Sequence, residues 1–360
     1  MAFTGYAIPG FTVIGEVSPA IRELAVTFNL EAINALNMPV EEDLKWASEI
    51  SGVTPAIFRG KVPIDFTALD GYEPFKGTRT YKQIDVAAVQ ADVQPWQRNL
   101  EWDIRLGAAG AEIQGIYNMA DKAQAMIAHA RVMQARLAAS VLMQGTPSVG
   151  TALVYAGNSI PGAGHPLFYT AHLANPMDAS SRTFSNYHTA VGKFNATTFA
   201  LTRQNMRLIP SPALSAETLG VQVTDIIGGS IMEEPFRQMY LANLYLQTQT
   251  VGGAAVGAAV TNIYAAGSTP CKYWIAPQLD ADPYYTANAG KQMWIAVSRK
   301  LVGARCIEMV APTKEFTPQL QLFGNGTELA ALTRKIHLVS DLDAGAAAAL
   351  PHVVARYEET

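Results

Sequence analysis

AEIQGIYNMADKAQAMIAHARVMQARLAASVLMQG, residues 111–145, is the strongest structural signal in the chain. From Ile116 to Gln144 it holds neither Gly nor Pro. Apolar residues fall at Ile116, Met119, Ala123, Met126, Ala130, Met133, Leu137 and Val141. Alternating steps of three and four are the period of one helical face. Glu112 and Asp121 come early, Arg131 and Arg136 late, which suits the helix dipole. Gly145 is a natural stop. The spacing predicts a helix over about 112–144. At 1.5 Å per residue its Gly- and Pro-free part alone would reach roughly 44 Å. Few helices are so long. One narrow stripe on so long a rod reads as a scaffold laid across a molecule.

Downstream, residues 146–194 are loop-rich, with Pro147, Pro161, Pro166 and Pro176. Asn195 is placed to cap a helix through Arg207 that carries Phe199, Leu201 and Met206. Pro210 and Pro212 end it, and Ser215 is expected to start another helix running to about Ile227. Short strands are expected at Tyr273–Ala276, Trp294–Val297 and Ala304–Val310. A closing strand pair is expected at Thr333–Ser340 and Val353–Tyr357. The fold class is α+β, with helices and sheets in separate segments, and no internal repeat is visible.

Upstream the period changes to two. Thr78, Thr80, Lys82, Ile84 and Val86 alternate with Arg79, Tyr81, Gln83 and Asp85; Trp96, Leu100, Trp102 and Ile104 follow a turn near Gln90 to Asp92. Two such runs predict a β-hairpin, with Pro95 at an edge or bulge. A lone two-stranded ribbon is marginal in water, so it is expected to lie on another surface, and removing residues 76–105 is expected to leave a foldable subunit. Residues 1–65 read as short helices on a tether. Ser18-Pro19 opens one with Ile21, Leu24, Ala25 and Phe28. Pro39 opens a second, with Glu41, Glu42 and Asp43 in its first turn and Gly52 at its end. Pro55, Gly60 and Pro63 then break the chain, so this segment is expected to pack on something else.

Composition narrows the function. Of 360 residues, 49% are apolar and 16% charged, the reverse of a disordered chain. Lys plus Arg number 26 and Asp plus Glu 30, for a net charge of −4, which argues against a dedicated nucleic-acid binder. The two cysteines, Cys271 and Cys306, suggest a reducing compartment with both as small buried apolar residues. No secretory signal and no membrane span are expected. Average chains are about 25% charged. Moreover, Leu137–Met177 and Gln238–Cys271 carry no charge at all. Both stretches are rich in Gly, Ala, Thr, Asn and Gln. They read either as core and loops of a large monomer or as surface covered by other copies, since interface cores are depleted in charge.

No active site assembles from the sequence. His165, His172 and His188 lie close in sequence but lack helical or Cys-paired zinc spacing. Gly252-Gly253-Ala254-Ala255-Val256-Gly257 lacks the glycine pattern and context of a dinucleotide loop and reads as a flexible loop. Asp280 and Asp282 read as a solvated turn, as do Asp341 and Asp343. No catalytic residue, cofactor or metal ligand is assigned, and the chain is expected not to be an enzyme. What remains is a tethered arm, an unsupported hairpin, one very long helix and charge-free surface. Neighbouring copies of the same chain would satisfy all four.

On these residues the chain resembles the major capsid proteins of tailed phages with the Hong Kong 97-like fold, closest to the Mu-like major head subunit group. The resemblance lies in element order over roughly 66–357. Ala139-Ser140-Val141-Leu142-Met143-Gln144-Gly145 resembles the end of the family's spine helix. Leu167-Phe168-Tyr169-Thr170-Ala171-His172-Leu173-Ala174-Asn175 resembles a Leu-Phe…His…Asn loop, with Asn one residue late. The helix near Thr197–Met206 with Leu208-Ile209-Pro210-Ser211-Pro212-Ala213-Leu214 resembles the lead into the axial domain. Tyr273-Trp274-Ile275-Ala276 and His337-Leu338-Val339-Ser340-Asp341 resemble late strands.

The resemblance implies an N-terminal arm (1–65), an extended hairpin loop (66–105) and a peripheral domain (106–207). An axial domain (208–310) and a return to the peripheral domain (311–360) would follow. It implies hexamers and pentamers closing into an icosahedral head around double-stranded DNA held without sequence specificity, with portal and decoration proteins as partners and no membrane. The chain would be assembled in the host cytoplasm and end in the virion. Subunit-interface candidates are Tyr81, Ile84, Trp96, Leu100 and Trp102. The alternatives are an encapsulin-like nanocompartment shell and a soluble α+β hydrolase using His172 or His188.

Overall fold

Met293-Trp294-Ile295-Ala296-Val297 is a strand buried at every position. A strand apolar on both faces needs a layer on each side. In the computed structural model, it is the middle of a five-stranded sheet between two such layers. The structure describes residues 12–14, 30, 34, 40–55, 61–65, 86–91, 93–103, 112–148, 155–156, 164–212, 217–241, 244–251, 254–261, 271–301, 305–311, 316, 318–323, 327 and 335–360, some by backbone alone.

The sheet runs β13 (Lys272–Ile275), β10 (Asp225–Gly228), β14 (Met293–Val297), β18 (Val354–Glu359), β9 (Tyr187–Val191). On one face Trp294, Ala296, Ile226 and Tyr357 meet α3 (Ala196–Arg207) and α4 (Glu233–Leu241) through Phe199, Met206, Phe236 and Met239. On the other, Met293, Ile295, Val297, Ile227 and Val354 join a larger core. That core includes α1 (Glu42–Ile50), α2 (Glu112–Gln144) and residues of a six-stranded sheet. The second sheet runs β1 (Thr12–Ile14), β16 (Gln319–Phe323), β17 (Lys335–Ala348), β15 (Ile307–Ala311), β2 (Ser51–Pro55), and β5 (Gln94–Asp103) also pairs with β17. Smaller groups are β3 (Lys61–Asp65) with β4 (Val86–Gln90) and β6 (Tyr155–Ala156), and β7 (His172–Leu173) with β8 (Thr183–Phe184). A further ribbon pairs β11 (Leu244–Val251) with β12 (Ala254–Thr261). The chain is α+β.

The long helix spans Glu112–Gln144 as its period predicts, but the stripe is different. Met126 and Ala130 are buried as expected, whereas beyond them the deepest positions are Ala135, Ala138, Ala139 and Leu142. Met133, Leu137 and Val141 are only partly buried at its margin. The reason is close packing. The helix lies across β17, and Ala135, Ala138 and Ala139 share one core there with Ala344 and Ala346 of the strand. Small residues on both surfaces let the two backbones approach.

Other expectations are corrected. The helix from Ser215 to Ile227 is absent: 217–224 is irregular and Asp225–Gly228 is β10, whose Ile226 and Ile227 feed opposite cores. The closing strands exist but do not pair with each other; β17 belongs to the six-stranded sheet and β18 to the five-stranded one. Asp341 and Asp343 stand in β17, not on a loop. The small-residue run at 254–257 is not a loop but the start of β12. Of the predicted hairpin, nearly all of the first run lies outside the described residues. The second is β5, which pairs with β17 from Gln94↔Ala344 to Asp103↔Lys335. β5 is therefore part of a sheet of its own chain, and removing 76–105 would strip that sheet of a strand. Pro95 does sit on a strand that pairs on one side only among the described residues. The Ser18-Pro19 helix start lies outside the described residues. From the segment read as an arm, Trp46, Ala47 and Ile50 of α1 are buried in the main core, and β2 pairs with β15.

Two local readings hold in detail. Asn195 caps α3, its Oδ1 accepting from Thr197 N (2.9 Å) and Thr198 N (3.0 Å), while Thr198 Oγ1 accepts from Asn195 N (2.8 Å). Gly145 follows α2, for a steric reason: a Cβ there would lie 2.8 Å from Leu167 Cβ and 2.9 Å from Val141 O. Gly145→Ala should lower stability by about 1–3 kcal/mol through overpacking. Gly192→Ala, whose Cβ would meet nothing nearer than 3.8 Å, should change it by less than about 0.5 kcal/mol. Urea denaturation midpoints of the two variants check this contrast.

Candidate functional site

The residues that suggest chemistry in the sequence are used structurally. His172 is buried, and its Nε2–H donates to Leu167 O (3.0 Å). Burial holds its pKa down at about 3. His188 is stacked on Tyr357 with centroids 4.7 Å apart, its Nε2 buried without a partner and its pKa lowered by burial. The two lie on different partners, and neither touches an acid or a nucleophile in the described contacts. Burial pushes both thiols, Cys271 and Cys306, up to about 12. A reactive cysteine needs the opposite shift.

Asp280 is exposed, as a solvated turn requires, but Asp282 is not. Asp280 accepts from Ser230 N (2.7 Å) and from the Ser230 hydroxyl. Asp282 is buried, caps α5 (Pro283–Ala287) by accepting from Tyr284 N (2.8 Å), and takes Arg356 in a two-pronged pair at 2.7 and 2.9 Å. Arg356, itself buried on β18, also donates Nε to Glu358 (2.7 Å), and Tyr187 OH donates to the other Glu358 oxygen (2.9 Å). These groups lie far apart in sequence, and no motif marks them. Arg299 forms a second such centre. It donates Nε to Asp225 (2.6 Å) and pairs with Glu49 of α1, while Trp274 Nε1–H donates to Asp225 (2.8 Å). This cluster clasps α1 to the five-stranded sheet. In the Arg356 centre, buried charges of both signs meet with their hydrogen bonds made, the arrangement of a structural lock; in the Arg299 centre only Asp225 is buried, and Arg299 and Glu49 are partly exposed.

One further hub escaped the sequence reading. Asn186 is fully buried. Its Nδ2 donates to Leu167 O (2.8 Å) and Pro351 O (3.1 Å), and its Oδ1 accepts from Tyr169 N (2.8 Å). Asn175, quoted above for its place in the Leu-Phe…His…Asn loop, turns its Oδ1 to Met177 N instead (2.9 Å). A lone Asn in a polar stretch gives no sequence signal for such a role.

Among the described residues, no three His, Cys, Asp or Glu side chains are grouped to hold a metal ion, and no helix is long and apolar enough to cross a membrane. An open cavity of about 450 Å³ lies between α2 and the segment after β13, lined by Val132, Arg136, Ala139, Met143, Pro277 and Gln278. It brings together no acid, base or nucleophile pair.

Of the interface candidates, Tyr81 and Ile84 lie outside the described residues. Trp96, Leu100 and Trp102 sit on β5 opposite Leu342, Leu338 and Ile336. Trp96 keeps 36% of its surface exposed although its Nε1–H donates to Ala344 O (3.2 Å). Leu201 on α3 and Leu208, the residue that caps its C-terminal end, are also exposed, Leu208 at 57%.

No protein-family model and no curated protein matches the chain. Solved structures similar to it include the head of Helicobacter pylori bacteriophage KHP40 at 11% identity, covering 90% of this chain and 92% of that one with a TM-score of 0.45. A chain from the capsid of the native GTA particle is similar at 9% identity, 90% and 92% coverage and a TM-score of 0.44. The capsid of Myoviridae phage XM1 is similar at 10% identity, 90% and 95% coverage and a TM-score of 0.40.

The locks make a graded prediction. Asp282→Asn removes one of the two carboxylates that hold the buried Arg356, Glu358 remaining, and should cost about 1–3 kcal/mol. Glu233→Gln breaks an exposed pair with Arg237 on α4 and should cost no more than about 0.5 kcal/mol. Thermal or urea unfolding of both variants measures the difference.

Proposed function

We propose that this chain is the major capsid subunit of a tailed double-stranded DNA phage, a structural protein that assembles as hexamers and pentamers into an icosahedral shell. The observation that carries the reading is the β11–β12 ribbon. Its strands pair from Leu244↔Thr261 to Val251↔Ala254 and with no other strand among the described residues. It lies in the charge-free stretch Gln238–Cys271. A two-stranded ribbon alone in water is marginal, and an uncharged one invites a partner surface. A second copy supplies that surface at no cost in sequence.

A further feature supports it. Among the described residues, β5 offers an edge with Trp96 partly exposed, and edge strands are templates for pairing between chains. In this reading β5, with Leu100 and Trp102, and the run holding Tyr81 and Ile84 lie against a neighbouring copy. The proposed division keeps an arm within 1–65, a reaching segment within 66–105, a peripheral part at 106–207 and 311–360, and an axial part at 208–310. The five-stranded sheet spans these boundaries, drawing β9 and β18 from the peripheral part. A net charge of −4 suits a container for DNA that does not grip phosphates. Portal and decoration proteins would be its further partners, and the virion its place. The hydrolase reading loses support because its candidate histidines are committed to packing.

The test is to replace Tyr245–Val260 by Asn-Gly, which joins the paired residues Leu244 and Thr261 through a tight turn. The expected outcome in electron micrographs is closed shells from the unaltered chain and none from the variant, with the variant still unfolding in one cooperative transition. Shells of normal size from the variant would remove the observation on which the reading stands. Nucleic acid inside shells assembled in cells supports the capsid reading, and enzyme cargo instead supports a nanocompartment.

A further inference from the structure

The loop between α2 and the five-stranded sheet contains a histidine cluster that differs from the one the sequence suggested. His165, His172 and His352 gather around Phe184 and Tyr169, and His188 stands elsewhere. Ring centroids are 6.4 Å apart for His165 and His172, 5.5 Å for His172 and Phe184, and 4.7 Å for Phe184 and His352. His165 stacks on Tyr169 at 4.3 Å. Two of these imidazoles are ties. His172 Nε2–H donates to Leu167 O, and His352 Nε2–H donates to Ala174 O (2.7 Å). The tied segment is wedged between the end of the long helix and the sheet. Phe168 N donates to Gly145 O (2.7 Å) at one side, and Arg356 N on β18 donates to Asn186 O (2.8 Å) at the other.

We propose that residues 165–186 form an acid-released latch that joins the C-terminal end of α2 to the five-stranded sheet and opens when His172 and His352 take up protons. The geometry supplies the mechanism. With Nε2–H spent on Ala174 O, His352 accepts a further proton only at Nδ1, which is buried without a partner. The new N–H would face no acceptor, and a buried unpaired charge is strongly disfavoured. The charges acting on His172 are His352 and His165, so each proton taken up repels the next. Arg356, 5.9 Å above the Phe168 ring, is already paired with Asp282 and Glu358. Among the described residues, no carboxylate acts on either imidazole.

The sign follows from burial, which lowers His172 to about 3 and His352 to about 4 from 6.5. The open segment binds protons that the closed one refuses. The latch is therefore fully held above pH 6.5 and is lost progressively as pH falls from there toward 4. If both histidines are freed on opening, the opening equilibrium rises on the order of 10²- to 10³-fold between pH 7.5 and pH 5. Global stability is a poor readout, because burial raises Glu308 on β15 to about 7. That group favours the folded chain more as pH falls and so opposes the histidines.

The experiment is hydrogen exchange of the full chain read by mass spectrometry at pH 7.5, 6 and 5, corrected for the intrinsic pH dependence of exchange. Peptides from 165–186 should lose protection by that factor relative to Met293–Val297 of β14. The double variant His172→Gln/His352→Gln should keep its protection across the range, or, if it does not fold, the unaltered chain decides alone. Protection of 165–186 that tracks β14 from pH 7.5 to pH 5 would overturn the proposal. The latch is a property of the single subunit and stands or falls apart from the shell reading.

Discussion

Burial of one sheet on both faces is the constraint from which the structure follows. β14 offers water no side chain at all, so each face of its sheet must be roofed. α3 and α4 roof one face; α1, α2 and the six-stranded sheet roof the other. Two-sided burial also traps polar groups. Asp225, Asp282 and Arg356 lie inside the layers and endure there because each finds a partner of opposite charge. An unpaired charge in such a place costs several kcal/mol, so these pairs fix which segments lie together. They tie α1 to the sheet and the C-terminal strand to the segment before α5.

Much of this was legible where a signal is local. The long helix, its glycine stop, the Asn195 cap and strands β13, β14, β15 and β18 could be read from period and punctuation. What was lost is what depends on partners. Asp225–Gly228 looked like the end of a helix, yet a short apolar run buried on both faces carries no period of its own. The alanines of α2 and of β17 were undervalued because close approach rewards small side chains only when the facing surface is also small. β5 looked like half of a hairpin, since alternation identifies a strand without naming its neighbour. The candidate site fared likewise. His172 and Asp282 were noticed, but their partners, Leu167 O and Arg356, lie beyond any local pattern, and Asn186 and His352 gave no signal.

The features left over share one property. Among the described residues, the β11–β12 ribbon and β5 each keep a strand edge unpaired, and Leu201 and Leu208 are exposed. The groups with reactive potential are the reverse: the buried imidazoles and thiols are shifted away from reactivity. In the proposed reading, contact with further copies of the chain completes these outward features. The same architecture gives that contact something to work with, since the end of the long helix and the twice-buried sheet meet through one short segment pinned by two imidazoles.

The most direct test of this account is the mass of the purified chain in solution at neutral pH, by analytical ultracentrifugation over a range of concentrations. Self-completion predicts closed assemblies of many copies, far above 38.7 kDa, with little free subunit. A stable single species at 38.7 kDa at every concentration would contradict it.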